Sequence, residues 1–194
     1  MIDFTEIIAV KILLKIVVLK LADRLSLIYI EMTFYSFYNK VKKTIQTIME
    51  ILSLDHILTG VRVENWQQAV KVAGQILVDK GSITSQYIDN MIQAVYDMGP
   101  YMVLMPHFAL AHAAPCEAVL RDDMSLIILD EPVVFGSPND PVKVVLCLAC
   151  KDKESHISAL SKVAEALMDE VVFDAIMKAS TAAEAYEALN NFGI

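Results

Sequence analysis

The chain has four histidines, His56, His107, His112 and His156, and three of them stand where chemistry is conceivable. His107 and His112 lie in Met105–Pro115, MPHFALAHAAP, an apolar stretch bounded by prolines and following a short apolar run. A spacing of five puts the two rings on opposite faces of a strand, or roughly 140° apart on a helix, which disfavours a shared metal site. From the residues alone, each also reads as a structural histidine in a turn. His156 follows Val142–Ala149 (VKVVLCLA) in the segment KDKESHISAL, with Glu154 or Ser155 placed to cap a helix. It falls in that helix's first turn, where unpaired N–H groups and the positive end of the dipole favour a neutral imidazole and welcome an anion. An ordinary exposed polar residue is the plainer reading of the same position.

Other candidates are weaker. Cys147 and Cys150 form a C-x-x-C pair, but both lie in or beside an apolar strand and no second pair exists, so they read as small buried hydrophobes. No nucleophile elbow, Walker loop or dinucleotide-binding glycine motif is present. Asp122-Asp123 and Asp130-Glu131 read as solvated turn charges. Three cysteines in 194 residues do not make a disulfide framework, and a reducing cytoplasm is the expected compartment.

The elements that must position these residues follow from periodicity. Asn65 is an N-cap for a helix over 66–80, with Ala69, Val70, Ala73, Ile76 and Leu77 on one face and Gly81 ending it. A second helix over 86–97 presents Tyr87, Ile88, Met91, Ile92 and Val95. Met49–Leu58 reads as a short helix, with a turn at Thr59-Gly60 and an alternating strand at Val61–Val63. Tyr101–Met105, Phe108–Ala111, Ser125–Leu129 and Val142–Ala149 read as short buried strands, with Pro132–Gly136 as a further short element. Helices return over 155–169, 171–179 and 182–190, the last opened by a capping box at Thr181–Glu184. The expected class is α/β, a mixed central β-sheet flanked by helices.

Charge divides the chain. The net charge is −8, but residues 1–48 carry +3 and residues 49–194 carry −11. An acidic domain is unsuited to general nucleic-acid binding, which requires cations to displace phosphate counterions. Residues 1–48 form a helical N-terminal extension in which Ile7–Ile30 is the most apolar stretch. Lys11, Lys15, Lys20, Asp23 and Arg24 interrupt it. A lysine at the centre of a span costs roughly 2.5–3.5 kcal/mol, so a clean membrane span is not expected. The charge sequence and lack of a cleavage site also argue against a signal peptide. An amphipathic arm or an extension upstream of Met49 remains; no chemistry is placed there. The functional domain is expected over 49–194.

At this point the segment GPYMVLMPHFALAHAAPCEAV resembles the active-site segment of enzyme IIA domains of the phosphoenolpyruvate-dependent sugar phosphotransferase system. The similarity is to the mannitol/fructose-type superfamily and, within it, the ascorbate-type branch, whose pattern runs G-P-Y-x-V-x-A-P-G-x-A-L-P-H-A-R-P. Downstream, EPVVFGSPNDPVKVVLCLACKDKESHISAL looks like the same branch, as does ENWQQAVKVAGQILVDKGSITSQYIDNMI upstream. The resemblance covers about 49–192 and leaves out 1–48. It implies that His112 is the phosphorylated histidine and His156 the second histidine beside it. It also implies a phosphocarrier that takes a phosphoryl group from phospho-HPr and passes it to a cysteine of a IIB protein, and so indirectly serves a membrane IIC transporter for an ascorbate-like sugar acid or polyol. No metal or organic cofactor is implied.

Three positions depart from that pattern. Ala111 replaces the usual proline, Ala114 the usual arginine and His107 the usual glycine. Losing proline loosens the backbone, losing arginine removes a phosphate partner, and His107 brings bulk and a donor near the site. A regulatory or degenerate IIA-like domain, which senses phosphotransferase flux without feeding a transporter, is the alternative. The apolar N-terminal arm leaves homo-dimer formation an open expectation.

Overall fold

The computed structural model describes residues 52–154, 161, 164, 166, 167 and 169–190. The extension expected over 1–48 lies outside them, as does His156. Of the helix expected over 155–169, residues 161, 164, 166 and 167 are described and all four are helical.

A 3-10 turn, Leu54–His56, leads into strand β1, Ile57–Val61. Helices α1, Trp66–Asp79, and α2, Ser85–Met98, follow. Three strands come next: β2, Val103–Met105, β3, His107–Ala111, and the long β4, Asp123–Val133. Strand β5, Val142–Ala149, precedes the terminal helices α3, Glu170–Lys178, and α4, Ala182–Asn190. The sheet order is β1-β4-β5-β3-β2. β1 runs parallel to β4, β4 antiparallel to β5, β5 parallel to β3 and β3 antiparallel to β2. This is the mixed α/β sheet that the strand and helix pattern predicts.

Period-two alternation explains how both faces of the sheet are buried. Ala109, Ala111, Ile127, Leu129, Val145 and Cys147 face α1 and α2. Phe108, Leu110, Leu126, Ile128, Val144 and Leu146 face the opposite way, towards α3 and α4. A sheet covered on both faces needs near-continuous apolar strands, and VKVVLCLA is one. Asn65 caps α1 by accepting from Gln68 N–H at 3.0 Å. Gly74 lets α2 approach α1, since a Cβ there would sit 2.6 Å from Ile88 Cγ1.

Local boundaries differ from the sequence reading in two places. The first strand is Ile57–Val61 rather than 61–63, and the expected helix through Leu58 shrinks to one 3-10 turn. Gly60, expected in a turn, instead sits within β1 at φ 66°, where the pairing with β4 shifts register. Pairing with β4 overrides the local turn signal, because Gly supplies the left-handed conformation a bulge requires. Likewise Pro132, read as part of a separate element, belongs to β4. It falls in the register shift between Ile128 and Val133, where a missing N–H is tolerated.

The mixed topology also determines which residues share an end of the sheet. β3 and β5 finish side by side, with Ala111 opposite Cys147, and β1 and β4 begin at that same end. His112 is the first residue beyond β3 there. His107 begins β3 at the other end, about 16 Å away for a five-residue strand. The expectation that His107 lies near the site is therefore corrected. It occupies a left-handed backbone conformation, φ 68°, at the tight passage from β2 to β3. That conformation explains glycine in the related pattern, and histidine is among the residues that tolerate it. Replacing His107 by Gly should raise stability by about 0.5 kcal/mol, whereas His107→Val should lower it by about 1–2 kcal/mol, because a β-branched residue fits poorly there. Urea midpoints of the two variants test this; a valine variant as stable as the glycine variant contradicts it.

Candidate functional site

The residue leaving β3 is His112, half-buried at the joint carboxyl end of β3 and β5. Ligand chemistry in open α/β sheets concentrates at such ends, because the loops that follow parallel strands converge there. The His112 ring is fixed by its own strand. Nδ1 lies 2.8 Å from the carbonyl oxygen of Leu110. A carbonyl can only accept, so Nδ1 carries the proton and, in the neutral ring, Nε2 carries the lone pair. The chain thereby selects one tautomer of its imidazole.

Two tyrosines hold the segment that carries this ring. Tyr101 lies two residues before β2, and the antiparallel β2–β3 pairing brings it alongside the end of β3. Its hydroxyl donates to the His112 carbonyl oxygen at 2.5 Å. Its ring packs nearly perpendicular to the imidazole, with centroids 5.1 Å apart. Tyr87, fully buried on α2, accepts from Ala113 N–H at 3.1 Å. Its single proton is shared between the carbonyls of Ala113 and Leu148, each 3.0 Å away. His112 is thus tied on one side to β2 and on the other to α2 and β5. Burial pushes the Tyr101 hydroxyl up to about 12 and that of Tyr87 higher still, so both stay protonated donors near neutral pH.

His156 lies outside the described residues. The chain between β5 and Lys153–Glu154, which are helical, leaves the sheet at the end where His112 stands. Lys151 N–H in this connection donates to Asp122 at 2.7 Å. Cys147 and Cys150 are buried, as expected of small hydrophobes, and burial raises the Cys147 thiol to about 12. Ala111 is buried in the sheet and Ala114 is exposed.

The sequence reading missed a polar cluster at the same end of the sheet. Asp123, expected as a solvated turn charge, is half-buried at the start of β4. Its carboxylate accepts a short hydrogen bond from Ser82 Oγ. It also faces His56 Nε2 at 3.2 Å, at an angle too poor for a hydrogen bond, and Arg121 Nη2 at 3.9 Å. His56 Nδ1 meets Asp55 at 2.9 Å, and Lys80 also pairs with Asp55, holding its carboxyl below the usual range. The cluster joins the starts of β1 and β4. Nothing local marks it, because its members are up to 68 residues apart in sequence: His56 reaches Asp123 only through β1–β4 pairing. The tyrosines had a weak signal, since a buried phenol must find a hydrogen-bond partner.

Comparison with known proteins establishes the family and agrees with the fold. The family model described as "Phosphoenolpyruvate-dependent sugar phosphotransferase system, EIIA 2" matches residues 50–192. The chain belongs to that family. It is 32% identical over 118 residues to a mannitol-specific cryptic phosphotransferase enzyme IIA component of Escherichia coli, covering 61% of this chain and 80% of that protein. It is 30% identical over 129 residues to the ascorbate-specific PTS system EIIA component of the same species, covering 66% and 84%. The solution structure of the mannitol-specific cryptic enzyme IIA from E. coli superposes with a TM-score of 0.68 at 27% identity, covering 74% of this chain and 99% of that one. Enzyme IIA components of this family are phosphotransferases. Among the described residues, no helix is long and apolar enough to cross a membrane.

The buried phenols and thiol make stability depend on alkaline pH. The Cys147 thiol starts from 9.0 and the Tyr101 hydroxyl from 10.0; both are raised to about 12 on folding. With a raised folded pKa, the unfolded chain loses the proton first. Stability is therefore full below about pH 9 and falls as pH rises from there to about 12. Urea midpoints between pH 7 and 11 should stay level and then decline, less steeply above pH 10 in Tyr101→Phe. A decline that begins below pH 8 contradicts these assignments.

Proposed function

We propose that His112 accepts a phosphoryl group on Nε2 from phospho-HPr and passes it to a cysteine thiolate of a IIB protein. The observation that carries this reading is the 2.8 Å contact between Nδ1 and the Leu110 carbonyl, at the carboxyl end of the β3–β5 pair. In the first transfer the N–P bond of the donor phosphohistidine breaks and a bond from Nε2 to phosphorus forms. The Nδ1 proton stays in place, so the phosphorylated ring carries positive charge, which the Leu110 carbonyl dipole stabilises. In the second transfer that cationic ring is the leaving group: the Nε2–P bond breaks, an S–P bond forms, and His112 returns to its starting tautomer. Phosphoryl transfer places little covalent demand on the protein beyond position and charge, and neither step calls for a metal or organic cofactor.

His156 assists by donating to the phosphoryl oxygens from the first turn of the helix that follows β5. Support comes from the connection itself, which leaves the sheet beside His112 and is helical at Lys153 and Glu154. The domain of residues 49–194, with charge −11, attracts a basic docking face, an effect on encounter rate more than on contact energy. We read the chain as a cytoplasmic carrier that serves uptake through a membrane IIC transporter; the relatives named mannitol-specific and ascorbate-specific support an ascorbate-like sugar acid or a polyol as the substrate class. A regulatory or degenerate IIA-like domain is the second reading, favoured by Ala114, exposed where the related pattern has arginine.

Incubation of the full chain with phosphoenolpyruvate, enzyme I and HPr, followed by intact-mass measurement, tests the proposal. The expected result is a gain of one phosphoryl group, acid-labile and absent in His112→Ala. His156→Ala should still accept it, about ten- to a hundredfold more slowly, the usual scale for one lost charge-stabilising donor. Onward transfer to a IIB cysteine identifies the carrier; a stable phosphoprotein with every IIB tested identifies the regulator. No gain in mass overturns the carrier and the regulator and leaves the degenerate domain; a gain retained by His112→Ala overturns the assignment of His112 as the acceptor.

A further inference from the structure

We propose that Tyr101 is a positioning residue for phosphoryl transfer, holding the His112 ring in the orientation and tautomer that present Nε2. This rests on the reading of His112 as the phosphoryl acceptor and adds to it the device that aims the acceptor.

Two contacts from one side chain carry the inference. The hydroxyl donates to the His112 carbonyl oxygen, which fixes the peptide plane just beyond the reactive residue. The ring stands at 81° to the imidazole with centroids 5.1 Å apart, forming a wall against rotation of the His112 side chain. The bond from Nδ1 to Leu110 closes a short loop within the chain, and only a narrow range of side-chain torsions satisfies it. A ring turned over would present Nδ1 outwards and lose that bond. The Tyr101 wall opposes the turn directly. The hydroxyl opposes it indirectly, by keeping His112 at a constant distance from Leu110.

Tyr101 is well placed for this task. Gly99 at φ 79° and the Gly99 carbonyl, which accepts from Tyr101 N–H at 2.8 Å, form a tight turn that fixes the tyrosine backbone. Leu110 N–H donates to the Met102 carbonyl at 2.8 Å, so the residue after Tyr101 is bonded to the strand whose carbonyl orients the imidazole. Ala111 lacks the ring of a proline and contributes no stiffness of its own. Tyr101 and Tyr87 together grip residues 112 and 113, and Tyr101 also packs against the imidazole.

The test uses two readouts on the full chain: the nitrogen chemical shifts of the His112 ring and the single-turnover rate of phosphoryl acceptance from phospho-HPr. In the unsubstituted chain Nδ1 should give a protonated, pyrrole-type shift and Nε2 a pyridine-type shift. Tyr101→Leu removes wall and hydroxyl, and should move both shifts towards the Nε2–H form that solvated histidine prefers. Tyr101→Phe keeps the wall, should move them part of the way, and should slow acceptance about three- to tenfold, with HPr half-saturation unchanged, as expected of lost orientation. Unchanged shifts in a folded Tyr101→Leu chain, or an unchanged rate and shifts in Tyr101→Phe, overturn the proposal. If Tyr101→Leu fails to fold, Tyr101→Phe decides. If the unsubstituted chain takes no phosphoryl group, the reading of His112 fails, while the nitrogen shifts still decide whether Tyr101 orients the ring.

Discussion

One hydrogen bond organises the candidate site: the Nδ1–H of His112 held by the carbonyl of Leu110, two residues earlier in the same chain. A histidine in water exchanges freely between tautomers and rotamers. Here the strand supplies an acceptor that permits only one of them in the neutral ring. The selected form puts nucleophilic character on Nε2. It also leaves the opposite nitrogen permanently facing a carbonyl dipole, whose partial negative charge suits a ring that becomes cationic when phosphorylated. A neighbouring carboxylate would stabilise that cation more and would make it a poorer leaving group, so a neutral acceptor fits a group that must be passed on.

The rest of the fold serves the placement of that ring. β3 and β5 are parallel, so their carboxyl ends coincide, and the loops leaving them occupy the same end of the sheet. β2 runs back along β3 and returns Tyr101 to His112. α2 packs on the sheet so that Tyr87 reaches the next residue, Ala113, and Leu148 near the end of β5 at once. Such placement needs a rigid base, and the two apolar layers, one under α1 and α2 and the other under α3 and α4, supply it. The Asp123 cluster tightens the same end by joining β1 to β4.

Much of the fold is legible in the sequence. Period-two and 3.6-residue patterns located β5, α1 and α4 to within a residue, because those elements are long and their burial is regular. The short elements were less legible. Ile57–Val61 contains a Thr-Gly pair that signals a turn locally, and only its pairing with β4 makes it a strand. His112 was marked by its setting and by the family resemblance, but its tautomer was not, since that depends on the torsions of one side chain. His107 shows the opposite failure. Five positions in sequence suggest proximity, yet a strand converts them into separation, and the residue proves to be a backbone substitute for glycine. Asp123 and His56 could be joined only by knowing the strand order.

The central claim is that the Leu110 carbonyl reserves Nδ1 for its proton and leaves Nε2 to bond phosphorus. Long-range proton–nitrogen and nitrogen–phosphorus correlation on the phosphorylated, nitrogen-15-labelled chain reads this directly. The account predicts that the nitrogen coupled to phosphorus is Nε2 of His112, with Nδ1 still protonated. Phosphorus coupled to Nδ1, or to a nitrogen of any other histidine, would contradict it.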